Sequence, residues 1–259
     1  MEKVQSADGT QIAFERSGEG APLVLVKGAF NDRTSSADLA GQLGPHFTVY
    51  VFDRRGRGDS GQGGAYAVER EVEDLAAVLD AAALRAAGAP VAVYGHSSGA
   101  CLAAEAAAAG VPMRALALYE PPYGTGATTG FAAELTALAA AGQASEVAEK
   151  FLRITGVPAT ALADMKQAPY WPRMTSFAGT LPYDVTLASR PVPAGLARAG
   201  FPVLALAGGA SPDWAAAAAK AVVAAAATGR SQVLPDQTHN AAPGVLAPVL
   251  TEFFLSAPG

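Results

Sequence analysis

The pentapeptide Gly95-His96-Ser97-Ser98-Gly99 falls between an apolar run at 91–94 and an alanine-rich run at 100–109. Apolar run, G-x-S-x-G and helix former in that order describe a strand, a sharp turn and a helix, with the serine on the turn. The outer glycines remove side chains that would collide where the strand doubles back into the helix. Ser97 Oγ is thereby expected at the carboxyl end of a sheet, with the amides of the following helix aimed at developing negative charge. Ser97 is a candidate nucleophile. The alternative is a glycine-rich turn whose serine only caps the helix.

Working outward, 4–15 reads as a hairpin turning at Asp8-Gly9, and 23–27 and 47–52 read as buried strands. A helix is expected at 69–87, where Val72, Leu75, Val78, Leu79 and Leu84 recur near a 3.6 period. Further strands are expected at 115–119, 203–207 and 232–234, with helices at 215–227 and 248–255. Strands alternating with helices imply an α/β domain with a mostly parallel central sheet covered on both faces. Residues 123–198 break that rhythm. Phe131, Leu135 and Leu138 mark one helix, Val147, Phe151 and Leu152 a second, and proline-rich joints follow. The expected organisation is a single domain over 1–259, with a core of 1–122 and 199–259 and a helical cap or lid inserted at 123–198.

Half of the 259 residues are hydrophobic and 16% are charged, which supplies a large buried core. A net charge of −5 lacks the basic footprint of a nucleic-acid binder and argues against anionic membranes. The one cysteine, Cys101, excludes an internal disulfide and reads as a small buried hydrophobe. No apolar signal segment or membrane-length run is present, so a cytoplasmic protein is expected. The partner expected is a small-molecule substrate, with neither nucleic acid nor membrane; a homodimer is the assembly considered. Metal-ligand spacings and a dinucleotide fingerprint are both missing, so no metal and no cofactor are expected.

With the pentapeptide following the fifth predicted strand, the chain resembles the α/β-hydrolase superfamily over almost its whole length. Lys27-Gly28-Ala29 stands where that family usually has H-G-x, and the stretch Asp53-Arg54-Arg55-Gly56-Arg57-Gly58-Asp59-Ser60 is similar to its D-x-R-G-x-G-x-S loop. The run 203–208 resembles the strand before the family's acid loop, and Asp236-Gln237-Thr238-His239 resembles its terminal histidine loop. The resemblance implies a hydrolase in which Ser97 attacks and His239 is the general base, in the chain order Ser, acid, His. His96 neighbours Ser97 on a turn from which side chains diverge, and His46 precedes an early strand, so neither suits the role. The resemblance also implies an oxyanion hole made by the backbone amides of Ala29 and Ser98.

The acid departs from the family pattern. Where G-x-x-D is expected, the run is Gly208-Gly209-Ala210-Ser211-Pro212, with Ser211 at the carboxylate position. Glu120, ending the strand after the elbow helix, is the first substitute, because some members of the superfamily supply their acid from that strand end. Asp213 is the second, although it also suits the start of a helix. A Ser/His dyad is the third reading.

Lys27 is the other departure. A lysine at a buried strand end needs a carboxylate partner or a depressed pKa. Pairing with Glu120 or Asp53 is one reading; polarising a substrate carbonyl or binding a substrate carboxylate is the other. Lys27, Phe30, Tyr123 and Trp171 are the candidate substrate-binding residues, with Trp171, flanked by Pro169 and Pro172, the best candidate for an apolar wall. Arg54, Arg55 and Arg57 are expected to serve the scaffold alongside neighbouring acids. The expected activity is cleavage of an ester, lactone or thioester of a small, largely apolar substrate through an acyl-enzyme. The rivals are a non-hydrolytic enzyme of the same fold (lyase, acyltransferase or cyclase) and a ligand-binding protein without turnover.

Overall fold

The computed structural model describes residues 1–258. Eight strands form one sheet: β1 (Glu2–Gln5), β2 (Gln11–Ser17), β3 (Ala21–Val26), β4 (Phe47–Phe52), β5 (Ala92–His96), β6 (Ala115–Tyr119), β7 (Val203–Gly208) and β8 (Gly229–Leu234). Their spatial order is β1-β2-β4-β3-β5-β6-β7-β8. The hairpin β1–β2 pairs antiparallel, as does β2 with β4, and every pairing from β4 to β8 is parallel. Parallel strands need crossovers, and those crossovers cover both faces.

On one face lie α2 (Val68–Arg85), α3 (Ser98–Ala108) and α9 (Asp213–Ala225). Their Leu75, Val78, Ala103 and Val222 pack against Val24, Val26, Val93 and Leu118 of the sheet. The opposite face is closed by α1 (Ala37–Leu43) and α10 (Pro243–Ser256), through Leu43, Leu250 and Phe254 against Leu25, Tyr94 and Leu206. The two clusters interleave along each strand because successive side chains point to opposite faces. Alanines at 100, 103, 104, 106 and 107 let α3 lie flat against the sheet directly behind Ser97.

Between β6 and β7 run α4 (Thr129–Ala140), α5 (Ala144–Ile154), α6 (Ala159–Gln167), α7 (Trp171–Ser176) and α8 (Leu181–Ala188). These helices hold an apolar cluster of their own, which meets the sheet's carboxyl end at Ala29 and Phe30. The last three are more helical than the proline content suggests. Pro172 and Pro182 each fall within the first two positions of a helix, where the missing N–H costs nothing. They start helices instead of interrupting them. The last helix likewise begins at Pro243, earlier than expected, and runs through Pro248, because burial of Leu246, Ala247 and Leu250 outweighs the interior proline. Among the described residues, no helix is long and apolar enough to cross a membrane.

Candidate active site

Ser97 follows the last residue of β5 and caps α3 with φ 57° and ψ −130°, a backbone conformation that non-glycine residues rarely adopt. The packing around it enforces the turn. A Cβ on Gly99 would lie 2.3 Å from Val26 O, and one on Gly95 would lie 2.6 Å from Ala100 Cα. Gly28 closes the other side, since a Cβ there would fall 2.8 Å from Ser97 Cβ. The segment after β3 is therefore pressed against the serine. Ser98 opens α3, so its amide has no intrahelical acceptor. The Ala29 amide likewise meets no protein acceptor among the described residues. These two donors flank Ser97, one from each side of the turn.

The far end of the chain supplies an imidazole. His239 lies in the loop between β8 and α10, and its Nδ1 is 2.7 Å from Glu120 Oε2. Glu120 follows β6 in the left-handed region, φ 46°, and is fully buried. Its other oxygen, Oε1, accepts from the Gly208 amide at 2.7 Å. Burial by itself would raise the pKa of this carboxyl. The hydrogen bonds from His239 and the Gly208 amide outweigh that, holding it below the usual carboxylate range. An ionised Glu120 fixes the Nδ1–H tautomer and leaves Nε2, without a partner among the described residues, as the acceptor.

The histidine loop is tied down by its backbone. His96 Nε2 donates to His239 O at 2.8 Å, and Tyr119 Oη donates to Thr238 O at 2.6 Å. The His96 and His239 rings sit 4.9 Å apart between centroids, which brings the His239 ring to the residue beside Ser97. Burial, with the nearby Lys27 charge adding to it, holds His96 neutral. His96 thus anchors the loop that carries the other imidazole, a role that its place as x in G-x-S-x-G does not announce.

The remaining candidates divide. Asp213 is exposed on the first residue of α9 and does not reach His239. Phe30 sits at the junction of core and cap, its ring 5.3 Å from that of Phe151 and edge-on to it. Two assignments change. Tyr123 is buried in the core with its hydroxyl beside Cys101 of the elbow helix. Trp171 is buried inside the apolar cluster of α4–α8, where its Nε1 donates to Ser145 Oγ at 3.2 Å, so it packs these helices together. Both are large aromatics near the expected site in sequence, and composition cannot distinguish a wall from a core.

Lys27 has neither of the partners considered for it. Glu120 is taken by His239, and Asp53 by Arg33. Burial without a counter-ion pushes the ammonium pKa down to about 8.

The arginine cluster forms a buried ionic hub. Arg54 pairs with Glu71 at 2.7 Å and with Asp184 of α8 at 2.6 Å. Arg57 pairs with the second oxygen of Asp184 at 2.6 Å and donates to Gly28 O at 2.6 Å. Two cations and two anions balance. No local sequence pattern points to Asp184, because Arg54 and Arg57 are far away along the chain.

A strained serine on a strand-turn-helix, with a carboxylate-oriented histidine packed against the residue before it, on this sheet, is the arrangement of an α/β-hydrolase enzyme. The comparisons agree: a family model described as Hydrolase_4 (serine aminopeptidase, S33) matches residues 20–241, and the chain belongs to that family. The chain is 46% identical to an α/β hydrolase of solved structure from Sphaerobacter thermophilus DSM 20745, with 98% of this chain and 100% of that one covered and a TM-score of 0.88. It is 35% identical to N-formylmaleamate deformylase of Pseudomonas putida over 124 residues, 45% of this chain. That match spans only 44% of the relative's length. An esterase from Rhodococcus sp. ECU1013 shares the fold at 19% identity and a TM-score of 0.71, with 99% of both chains covered.

Proposed function

We propose that this hydrolase cleaves an ester, lactone or thioester of a small molecule through an acyl-enzyme on Ser97. His239 Nε2 takes the Ser97 proton as Oγ attacks the carbonyl carbon, and the Ala29 and Ser98 amides receive the oxyanion. Imidazolium then returns the proton to the leaving oxygen or sulfur. In the second half, His239 deprotonates water, the acyl–Oγ bond breaks, and the serine recovers its proton. Glu120 stays ionised throughout, orienting the ring and stabilising its charged form.

The observation that carries this reading is the 2.7 Å contact between His239 Nδ1 and Glu120 in a loop anchored beside Ser97. Support for a small, largely apolar acyl group comes from Phe30 and Phe151 at the junction of cap and core. The likeness to a deformylase supports a second reading, in which the same machinery hydrolyses an N-formyl group. A fluorophosphonate probe tests the core of the proposal. Labelling of wild type that disappears in Ser97→Ala is the expected result; equal labelling of both overturns it. Ester and N-formyl amide substrates of matched size then separate the two readings.

A further inference from the structure

Lys27 is a cation that the fold leaves without a counter-ion. It follows β3 directly, one step beyond the pair Val26–Gly95. That register brings it level with His96 on the neighbouring strand, and its charge is felt at that ring. The next residue, Gly28, is the one pressed against Ser97, and the residue after that offers the Ala29 amide. Every acid within reach by sequence or position is committed: Glu120 to His239, Asp53 to Arg33, and Asp184 and Glu71 to Arg54 and Arg57. The side chain is largely buried yet not sealed from solvent, and no carboxylate lies within 4.0 Å of it among the described residues. Placing an ammonium there costs the protein its hydration with no internal return.

We infer that Lys27 binds a carboxylate carried by the substrate, at the end of the molecule opposite the leaving group. The inference rests on the serine-hydrolase reading of Ser97 and adds to it the substrate class: short acyl compounds bearing an anionic group, such as half-esters of small dicarboxylic acids. Lys27 lies two residues before an oxyanion donor, so a carboxylate on its ammonium is separated from the scissile carbonyl by a short carbon chain. Binding energy collected at that remote anion positions the carbonyl for attack.

The test compares mono-p-nitrophenyl succinate, which is anionic, with p-nitrophenyl butyrate, a neutral ester of similar size. The readout is the ratio of their kcat/KM values, in which the steps common to both cancel. Wild type is expected to favour the anion at pH 7. Lys27→Met should lower the ratio about 10- to 100-fold, the scale of one hydrogen-bonded charge pair. A ratio that Lys27→Met leaves unchanged overturns the inference.

The wild-type ratio measured from pH 6.5 to 9.5 avoids any folding defect of the variant. It should fall as pH rises through about 8, where Lys27 loses its proton. The other groups around it do not mimic this: His96 stays neutral, Arg54 stays charged, and His239 acts on both esters alike. A pH-independent ratio also overturns the inference. Fluorophosphonate labelling at Ser97 is run alongside. If it fails, the hydrolase reading itself is at fault; if it succeeds while the ratio does not move, only the Lys27 assignment falls.

Discussion

Ser98 Oγ lies 2.6 Å from Asp184 Oδ1, joining the residue behind the candidate nucleophile to the last helix of the cap. The same aspartate holds Arg57, which donates to Gly28 O at 2.6 Å. Gly28 C=O and the Ala29 N–H belong to one peptide unit, so Arg57 fixes the plane of one oxyanion donor while Asp184 grips the residue that supplies the other. A helix between β6 and β7 thereby braces both amides to which the proposed mechanism assigns the oxyanion.

Asp184→Asn should be destabilising, because it leaves two buried guanidinium groups facing only Glu71. Breaking a buried pair typically costs about 3–5 kcal/mol, which urea unfolding measures. Ser98→Ala is the gentler probe. It removes the hydrogen bond to Asp184 and the longer one from Arg54, each of a class worth about 1.5–3 kcal/mol, and leaves the amide in place. Its kcat should fall more than its KM rises, since the donors act mainly in the transition state. Unchanged kcat in a folded Ser98→Ala protein would show that the brace does not serve the reaction.

Glu120→Gln should retain the fold, because the new amide oxygen can still accept from Gly208. Its effect falls on catalysis. Without the carboxylate the imidazole loses its fixed tautomer and the partner for its charged form, and kcat is expected to drop by about four orders of magnitude. Stopped-flow labelling with a fluorophosphonate reads the loss directly. If Glu120→Gln labels at the wild-type rate, the site is a dyad.

The backbone at Ser97 stores strain, φ 57° and ψ −130°. Glycine adopts such conformations freely, so Ser97→Gly should abolish activity and raise stability by about 1 kcal/mol. The expected signature is a higher urea midpoint with an unchanged slope. A midpoint at or below the wild-type value contradicts the strain.

Lys27→Met should stabilise the protein, with a definite pH dependence. Below pH 8 the lysine is charged in both folded and unfolded chains, and its burial penalty is fully present. Between about 8 and the ordinary value of 10.5 the folded protein gives up the proton while the unfolded chain keeps it, so wild-type stability rises with pH. The advantage of the methionine variant should therefore be greatest at pH 7 and shrink toward pH 10. Thermal melts across that range check it.

Most of the sheet was legible in the chain because buried parallel strands are continuous apolar runs, and 47–52 and 115–119 match β4 and β6 at both ends. The short α1 escaped, since Leu39 and Leu43 alone give too little periodicity. In the site, Ser97 and His239 stand in local patterns, and Glu120 stood out by its place at a strand end. Asp184 did not, because its meaning depends on two arginines that meet it only in the folded chain. Nor could sequence show whether Lys27 had a partner, as its candidate acids were committed elsewhere by packing.

The carboxylate leaves from the end of β6, so the turn after β7 carries no reacting group. Its backbone needs only to seat the neighbouring loop, through Gly209 N to Leu234 O at 2.7 Å and Ala210 N to Gln237 O at 2.9 Å, and to offer one amide to Glu120. From Pro212 onward that turn is released from chemistry, making it the rim segment best able to absorb insertions or drift. In the proposed mechanism, nucleophile, acid and one oxyanion donor meanwhile travel together in a single β5–α3–β6 unit, a compact cassette to which only the imidazole and the Ala29 amide must be delivered from outside.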